Sequence, residues 1–477
     1  MSSISIKYRP EPTIFLASVG VGVNIALCQA LITYRLCAEK LNIFETTCFG
    51  QASISDRYEI EVQASQYGVY AQIASSVPAL ISCVNLSVWS DINGRKPPIL
   101  LTLFGLAIQN IFFIAVSTFS FLPLWLILVG NAICGCLGHC LMLFSCCFSM
   151  ITDIVKDQKK LTIELGLASS LIFAGIVCGS LLSKLVVEIM PPGANYFNYA
   201  FLLSVLSIFL AFLYAVVILS DSKSTSANST MKKTEPGDQN VEKKAPAYAI
   251  VQCLNVILKP RPNNTRCLLI TTSICFLIAF SCDIGMVGLQ FLYLSNEPFL
   301  FDAAAYSEQL SIQTSASALG LFFIPFLFKG IFNITNDLWL IFVGVLVSMA
   351  KSFFFAFAYN YCMILIFSMS YFGSSVLLTG FRAFCSKLVE DHETGKCIGR
   401  LFAILSSLEL LAPLLSGASF NVLYSYTVAY FAGLTWIVAG IVLLFVLIIL
   451  WFVHVDMSKR LMIVDDDQVA IMNSVDS

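Results

Sequence analysis

Long apolar stretches separated by short polar intervals set the pattern of this 477-residue chain. A helix needs about 20 mostly apolar residues to cross a hydrocarbon core of about 30 Å. Stretches of that kind recur at Pro12–Tyr34, Tyr67–Trp89, Pro98–Thr118, Leu122–Met150, Leu161–Val187 and Phe197–Leu219. A second set follows at Cys267–Leu294, Ser311–Phe328, Leu338–Ala358, Tyr361–Cys385, Ile398–Val422 and Val428–Val453. The fourth and seventh are longer than a span requires, which predicts tilt or a helical extension past the bilayer. The first is too long for a cleavable signal and is expected to stay as an anchor. Between the sets, Ser220–Arg266 carries the polar run S-K-S-T-S-A-N-S-T-M-K-K-T-E-P-G-D-Q-N, the composition of a linker. The expected fold is all-α and integral to the membrane, with twelve transmembrane helices in two pseudo-symmetric six-helix bundles. The expected parts are an N-terminal bundle over 1–219, a cytosolic linker over 220–266, a C-terminal bundle over 267–454 and a cytosolic tail over 455–477.

Composition agrees. Apolar residues make up 58% of the chain and charged residues 12%, with a mean hydropathy of +0.84. Those values exclude a soluble globular enzyme and a disordered chain. A net charge of −2 offers nothing to a nucleic acid. The 17 cysteines fall mostly inside apolar runs, where Cys acts as a small hydrophobe. Most lysines and arginines fall on the side that holds both termini, which makes that side cytosolic. Arg35, Lys40 and Arg57 fall opposite, and Lys184 and Lys351 sit within or near spans. No phosphate loop, nucleophile elbow or zinc-protease motif occurs, so neither an ATP-driven pump nor an enzyme is expected.

The turn after the second span reads W-S-D-I-N-G-R-K-P-P, Trp89 to Pro98. Asp91 accepts hydrogen bonds at a turn, Gly94 permits positive φ, and Arg95 and Lys96 put charge at the membrane face. Pro97 and Pro98 suit the start of the next helix. This turn resembles the G-x-x-x-D-x-x-G-R-K signature of the major facilitator superfamily, with Ser87 where the first glycine would stand. The two sets of six helices match the layout of those carriers. The resemblance implies that Asp91, Gly94, Arg95 and Lys96 latch helices together in one state of a transport cycle.

Further segments resemble solute carrier family 46. They are Glu11-Pro12 with Phe15-Leu16, the turn itself, and F-R-A-F-C-S-K-L-V over Phe381–Val389. Gly399 with Leu401-Phe402, S-G-A-S-F-N-V-L-Y over Ser416–Tyr424, and Tyr293–Pro298 complete the set. The resemblance implies proton-driven uptake of organic anions such as folates. It also makes Arg382 the family's helix-10 arginine, a cation for substrate carboxylate or proton coupling. Asp153 resembles the family's acidic residue at the end of span 4, which implies either a gate or capping role or contact with the substrate. Two family residues are absent: the helix-7 histidine falls at Cys282, and the helix-5 glutamate falls near Ala168, one turn after Glu164. The family's disulfide between the first outer loop, which holds Cys48, and the loop after span 7 cannot form, because Asn296–Gln309 contains no cysteine.

Ionisable groups inside a bilayer are costly and mark function. Glu409 falls near the midplane of span 11, with Pro413 and Gly417 able to bend that helix. Asp283 sits in span 7, Glu164 near the start of span 5, and Asn24 in mid-span 1, able to line a cavity or bond a neighbouring helix. Cys136, His139 and Cys140 share a helical face, but small residues there suit helix packing, and no metal site is expected. The sequons at Asn85, Asn228, Asn263 and Asn333 fall in membrane or cytosol and predict no lumenal glycan. The expected activity is secondary transport of a small organic anion by alternating access, with protons as coupling ion and no cofactor. Arg382, Glu409, Asp283, Asn24 and Glu164 are the binding or coupling set, and the host is a plasma or endolysosomal membrane. The alternatives are a proton-independent carrier for another amphipathic solute, or a receptor or scaffold that keeps the carrier fold.

Overall fold

The computed structural model describes residues 9–41, 53–154, 158–190, 195–220, 265–328, 337–387, 405, 407–409 and 411–475. These form helices, with no strand among the described residues. The first half holds α1 (Glu11–Leu41), α2 (Ile54–Asn93), α3 (Lys96–Thr118), α4 (Leu126–Cys136), α5 (His139–Ile154), α6 (Gln158–Ile189) and α7 (Tyr196–Val217). The second holds α8 (Thr265–Ser295), α9 (Ala303–Phe326), α10 (Asp337–Ala356), α11 (Tyr361–Ser368), α12 (Tyr371–Ser374) and α13 (Val376–Lys387). A helical stretch at 411–416 then passes through a π-helical turn, Gly417–Asn421, into α14 (Val422–Thr427), and α15 (Leu434–Val475) ends the chain.

Ten helices among the described residues are long and apolar enough to cross a membrane. The expected eighth span is the 24-residue α9, whose Glu308, Gln309, Gln313 and Thr314 make it more polar than the rest. The expected eleventh is helical from 411 to Thr427, and its beginning lies outside the described residues. So does the interior of the expected linker, and α15 runs on through the expected tail.

Several boundaries differ from the sequence reading for local reasons. α2 begins at Ile54, well before Tyr67, because Ser53 caps it through Asp56 N–H. Ionic pairs then hold its polar first turns: Lys40 bonds Glu59, and Gln63 Nε2 donates to Glu59 Oε1 at 3.3 Å. The long fourth span carries a break: Gly138 at φ 105° and His139 at φ 55° separate α4 from α5. α9 begins at Ala303, where Asp302 Oδ1 accepts from Ala305 N–H at 2.8 Å.

Large apolar side chains such as Leu202, Phe209, Phe445 and Phe452 point outward, which a bilayer satisfies and water does not. Inside, α1 packs on α6 through glycines. A Cβ on Gly22 would stand 2.5 Å from Ile176 O, and one on Gly179 would collide with Val19 O. Such close approach is how helices associate in lipid. Arg35, fully enclosed, donates to the carbonyls of Val116, Phe119, Ser120 and Leu122 at 2.5–3.1 Å, closing the end of α3. Cys37 is disulfide-bonded, a departure from the expectation that the cysteines act as small hydrophobes, and its partner lies outside the described residues.

Candidate functional site: intramembrane ion pairs and the contact between halves

Among the described residues, two ion pairs lie within the second half. α13 carries Arg382 and the eleventh span carries Glu409. The guanidinium Nε donates to Oε1 at 3.0 Å, and Nη2 reaches Oε1 at 2.5 Å and Oε2 at 2.7 Å. Glu409 keeps 11% of its side chain exposed and Arg382 keeps 35%. This fork matches the planar geometry of a carboxylate and positions both groups. Its free edge leaves the arginine able to meet a second anion. The π-helical turn follows at Gly417, eight residues on from Glu409, where the sequence places the bend after Pro413.

The second pair joins Asp283 of α8 to Lys351 of α10. Lys351 is 1% exposed and Asp283 25%. The Lys351 ammonium also stands 3.7 Å from the centre of the Tyr371 ring. Sequence reasoning singled out Asp283 and noted that Lys351 sits within or near a span, but gave the lysine no role. The signal was present: a lone lysine inside V-L-V-S-M-A-K-S-F-F-F has no interface within easy reach.

The turn between α2 and α3 is built as its sequence suggests. Gly94 adopts φ 99° and its N–H bonds Ser90 O at 3.0 Å. Arg95 Nε donates to Asp153 Oδ2 at 3.2 Å and its Nη1 to Ser90 Oγ at 2.8 Å. Lys96 Nζ donates to Val216 O at 2.8 Å. These contacts stay within the first half, tying α2 and α3 to α5 and α7. Asp91 lies in the last turn of α2. Glu164, on α6, stands within electrostatic reach of the buried Glu11 of α1. Asn24 Oδ1 is buried without a hydrogen-bond partner. The structure does not place Asn24 or Glu164 with either ion pair. His139 bonds Cys140 Sγ while Cys136 is exposed, and among the described residues no three potential metal ligands come together. A shallow cleft of about 430 Å³ between α3 and α7, lined by Asn195, Asn198 and Tyr199, holds none of these residues.

The halves meet through side chains near the end of the bundle where α1 gives way to α2. Lys184 of α6 donates to Glu308 of α9 at 2.9 Å, and Tyr361 Oη joins the same carboxylate at 3.1 Å. Ser180 and Ser311 share a hydrogen bond of 2.7 Å one turn deeper. Ser65 of α2 donates to Asn421 O at 2.8 Å. Asn296 Nδ2 donates to the buried Glu61 at 3.1 Å, and Arg57 lies 3.8 Å from Glu297. Sequence reasoning missed Glu61 and Glu308 because both were assigned to loops.

Two helical halves rich in membrane-length helices, ion pairs between those helices and a polar seam at one end fit a membrane carrier. Residues 14–333 match the family model described as Major Facilitator Superfamily. The chain belongs to the Major Facilitator Superfamily. Among curated relatives, it is 26% identical to the human (Homo sapiens) "Lysosomal proton-coupled steroid conjugate and bile acid symporter SLC46A3", covering 91% of this chain and 92% of that protein. It is 24% identical to the "Proton-coupled folate transporter" of Rattus norvegicus, over 91% of this chain and 89% of that one. A crystal structure of the nucleoside transporter NupG superposes with a TM-score of 0.64 at 10% identity, covering 94% of this chain and all of that one.

Proposed function

We propose that this chain is a proton-coupled symporter that carries an organic anion across a membrane by alternating access. The observation that carries the reading is the occurrence of two carboxylate–cation pairs, Asp283–Lys351 and Arg382–Glu409, inside the membrane-spanning second half. A charge there is tolerated only when paired or wetted by a pathway. Each pair offers a proton acceptor beside a cation that gains a vacancy once the acid is neutralised. The relatives named for folate and for steroid conjugates and bile acids support an amphipathic anionic solute. The central route runs between the halves. Both termini and the α2–α3 turn face the cytosol, following the basic residues, and the Lys184–Glu308 end faces outside or lumen. With that end held shut, the structure corresponds to the state facing the cytosol. The α2–α3 turn serves the opposite state. The host is a plasma or endolysosomal membrane, and no cofactor takes part.

The test is uptake of labelled folate, a bile acid and a sulfated steroid into proteoliposomes at external pH 5.5 and 7.5. Accumulation of one of them at pH 5.5, with at least about tenfold less at pH 7.5, is the expected result. Equal uptake at both pH values favours proton-independent carriage, which the presence of Cys282 at the family's histidine position supports. No uptake of any at either pH overturns transport of these anions.

A further inference from the structure

Lys351 has a surrounding that the pairing with Asp283 alone does not explain. Its ammonium is enclosed, rests on the face of Tyr371 and lies 3.5 Å from Ser374 Oγ. Tyr371 is itself buried, and its hydroxyl has no hydrogen-bond partner among the described residues. A buried hydroxyl left unpaired is uncommon and calls for an explanation. Asp283 differs from both in keeping a quarter of its side chain exposed. The anion on this lysine is therefore the least enclosed member of the cluster. The ring and the serine hold the ammonium from its other sides.

The groups facing Asp283 are Lys351 from α10, Tyr371 from α12 and its own neighbour Cys282 on α8, with Tyr306 of α9 behind Tyr371. Neutralising Asp283 would strand a buried ammonium, which is strongly unfavourable unless another anion replaces it. The spare Tyr371 hydroxyl is a donor such a replacement can use.

We propose that Lys351, Tyr371 and Asp283 form an anion subsite in which a protonated Asp283 yields its place on the Lys351 ammonium to a carboxylate or sulfate of the solute. This deepens the symport reading and rests on it. One proton from the acidic compartment adds to Asp283, and one anionic oxygen pairs with Lys351, so the pocket's net charge is unchanged. On the opposite side the solute leaves, Asp283 releases its proton to the medium and the original pair re-forms. Proton and anion thus move together because neither exchange is tolerated alone.

The experiment uses the purified full chain, with the unfolding midpoint measured with and without folate, a bile acid or a sulfated steroid at pH 5.5 and 7.5. Gradient-driven uptake and labelled-for-unlabelled exchange are measured in proteoliposomes. The wild type should bind one of these anions at pH 5.5 and at least about tenfold more weakly at pH 7.5, the size expected for a charge-assisted hydrogen bond. Asp283→Asn should bind about equally at both pH values, keep exchange and lose gradient-driven accumulation. Lys351→Met should lose binding at both, while Lys351→Arg retains it. Because a lone Lys351→Met leaves Asp283 unpaired and can fail to fold, Asp283→Asn/Lys351→Met removes both charges at once, and it should fold without binding. Binding and pH-dependent uptake of wild-type size in that double variant overturn the subsite and leave symport standing. A wild type that neither binds nor moves any of the three anions overturns both.

Discussion

Arg382 and Glu409 grip one another through three short contacts, yet their exposures differ threefold. The carboxylate is the enclosed partner and depends on the guanidinium. Arg382→Lys keeps the charge but loses the fork. Uptake of the anion identified above should fall at least about tenfold while surface expression persists, which separates positioning from folding. Arg382→Ala leaves a buried carboxylate unpaired and should lower stability by about 3 kcal/mol, read from the unfolding midpoint. Glu409 was legible in the sequence as a lone charge near mid-span, and Arg382 through its resemblance to the family's helix-10 arginine. Their pairing was not, because 27 positions and a change of span separate them and no spacing rule reaches that far. Lys351 was equally visible within its span, but its partner Asp283 lies 68 positions away on another helix.

At the scale of elements, α1 and α6 are joined by glycine notches with no room for a side chain. Gly179→Leu would drive a side chain into the backbone of α1 and should abolish folded protein in a detergent extract. Gly288 of α8 is the contrast, since a Cβ there meets nothing within 4 Å. Gly288→Ala should leave the midpoint unchanged or raise it by up to about 1 kcal/mol in stability through helix propensity. Most spans could be read from the sequence because hydrocarbon thickness imposes a length of apolar residues that no other environment requires. The ends could not. The start of α2 depends on Ser53 as a cap and on pairing between Lys40 and Glu59, and the α4–α5 break depends on two positive φ values at Gly138 and His139. Capping partners and backbone hand leave only faint traces in hydropathy.

For the whole molecule, the seam between halves combines apolar packing, chiefly of α6 on α9, with modest polar contacts near one end. Partly exposed pairs such as Lys184–Glu308 contribute roughly 0.2–1 kcal/mol each, so several together bias two states without locking them. Lys184→Met with Glu308→Gln should shift that bias toward the alternative state. Spin labels at the exposed Tyr58 of α2 and Tyr359 beyond α10 report it as a longer mean distance by electron paramagnetic resonance. An unchanged distance distribution would mean that the pair does not hold the halves.

Because α1 and α6 share the notches at Gly22 and Gly179, the grip of Lys184 at the tip of α6 is felt by both helices as one rigid lever. Under the proposed alternating access, a solute reaching that face waits for the closed end to open, a step that can limit turnover. Raising its concentration should shorten the wait only up to a ceiling, and loosening the closed end should lift that ceiling.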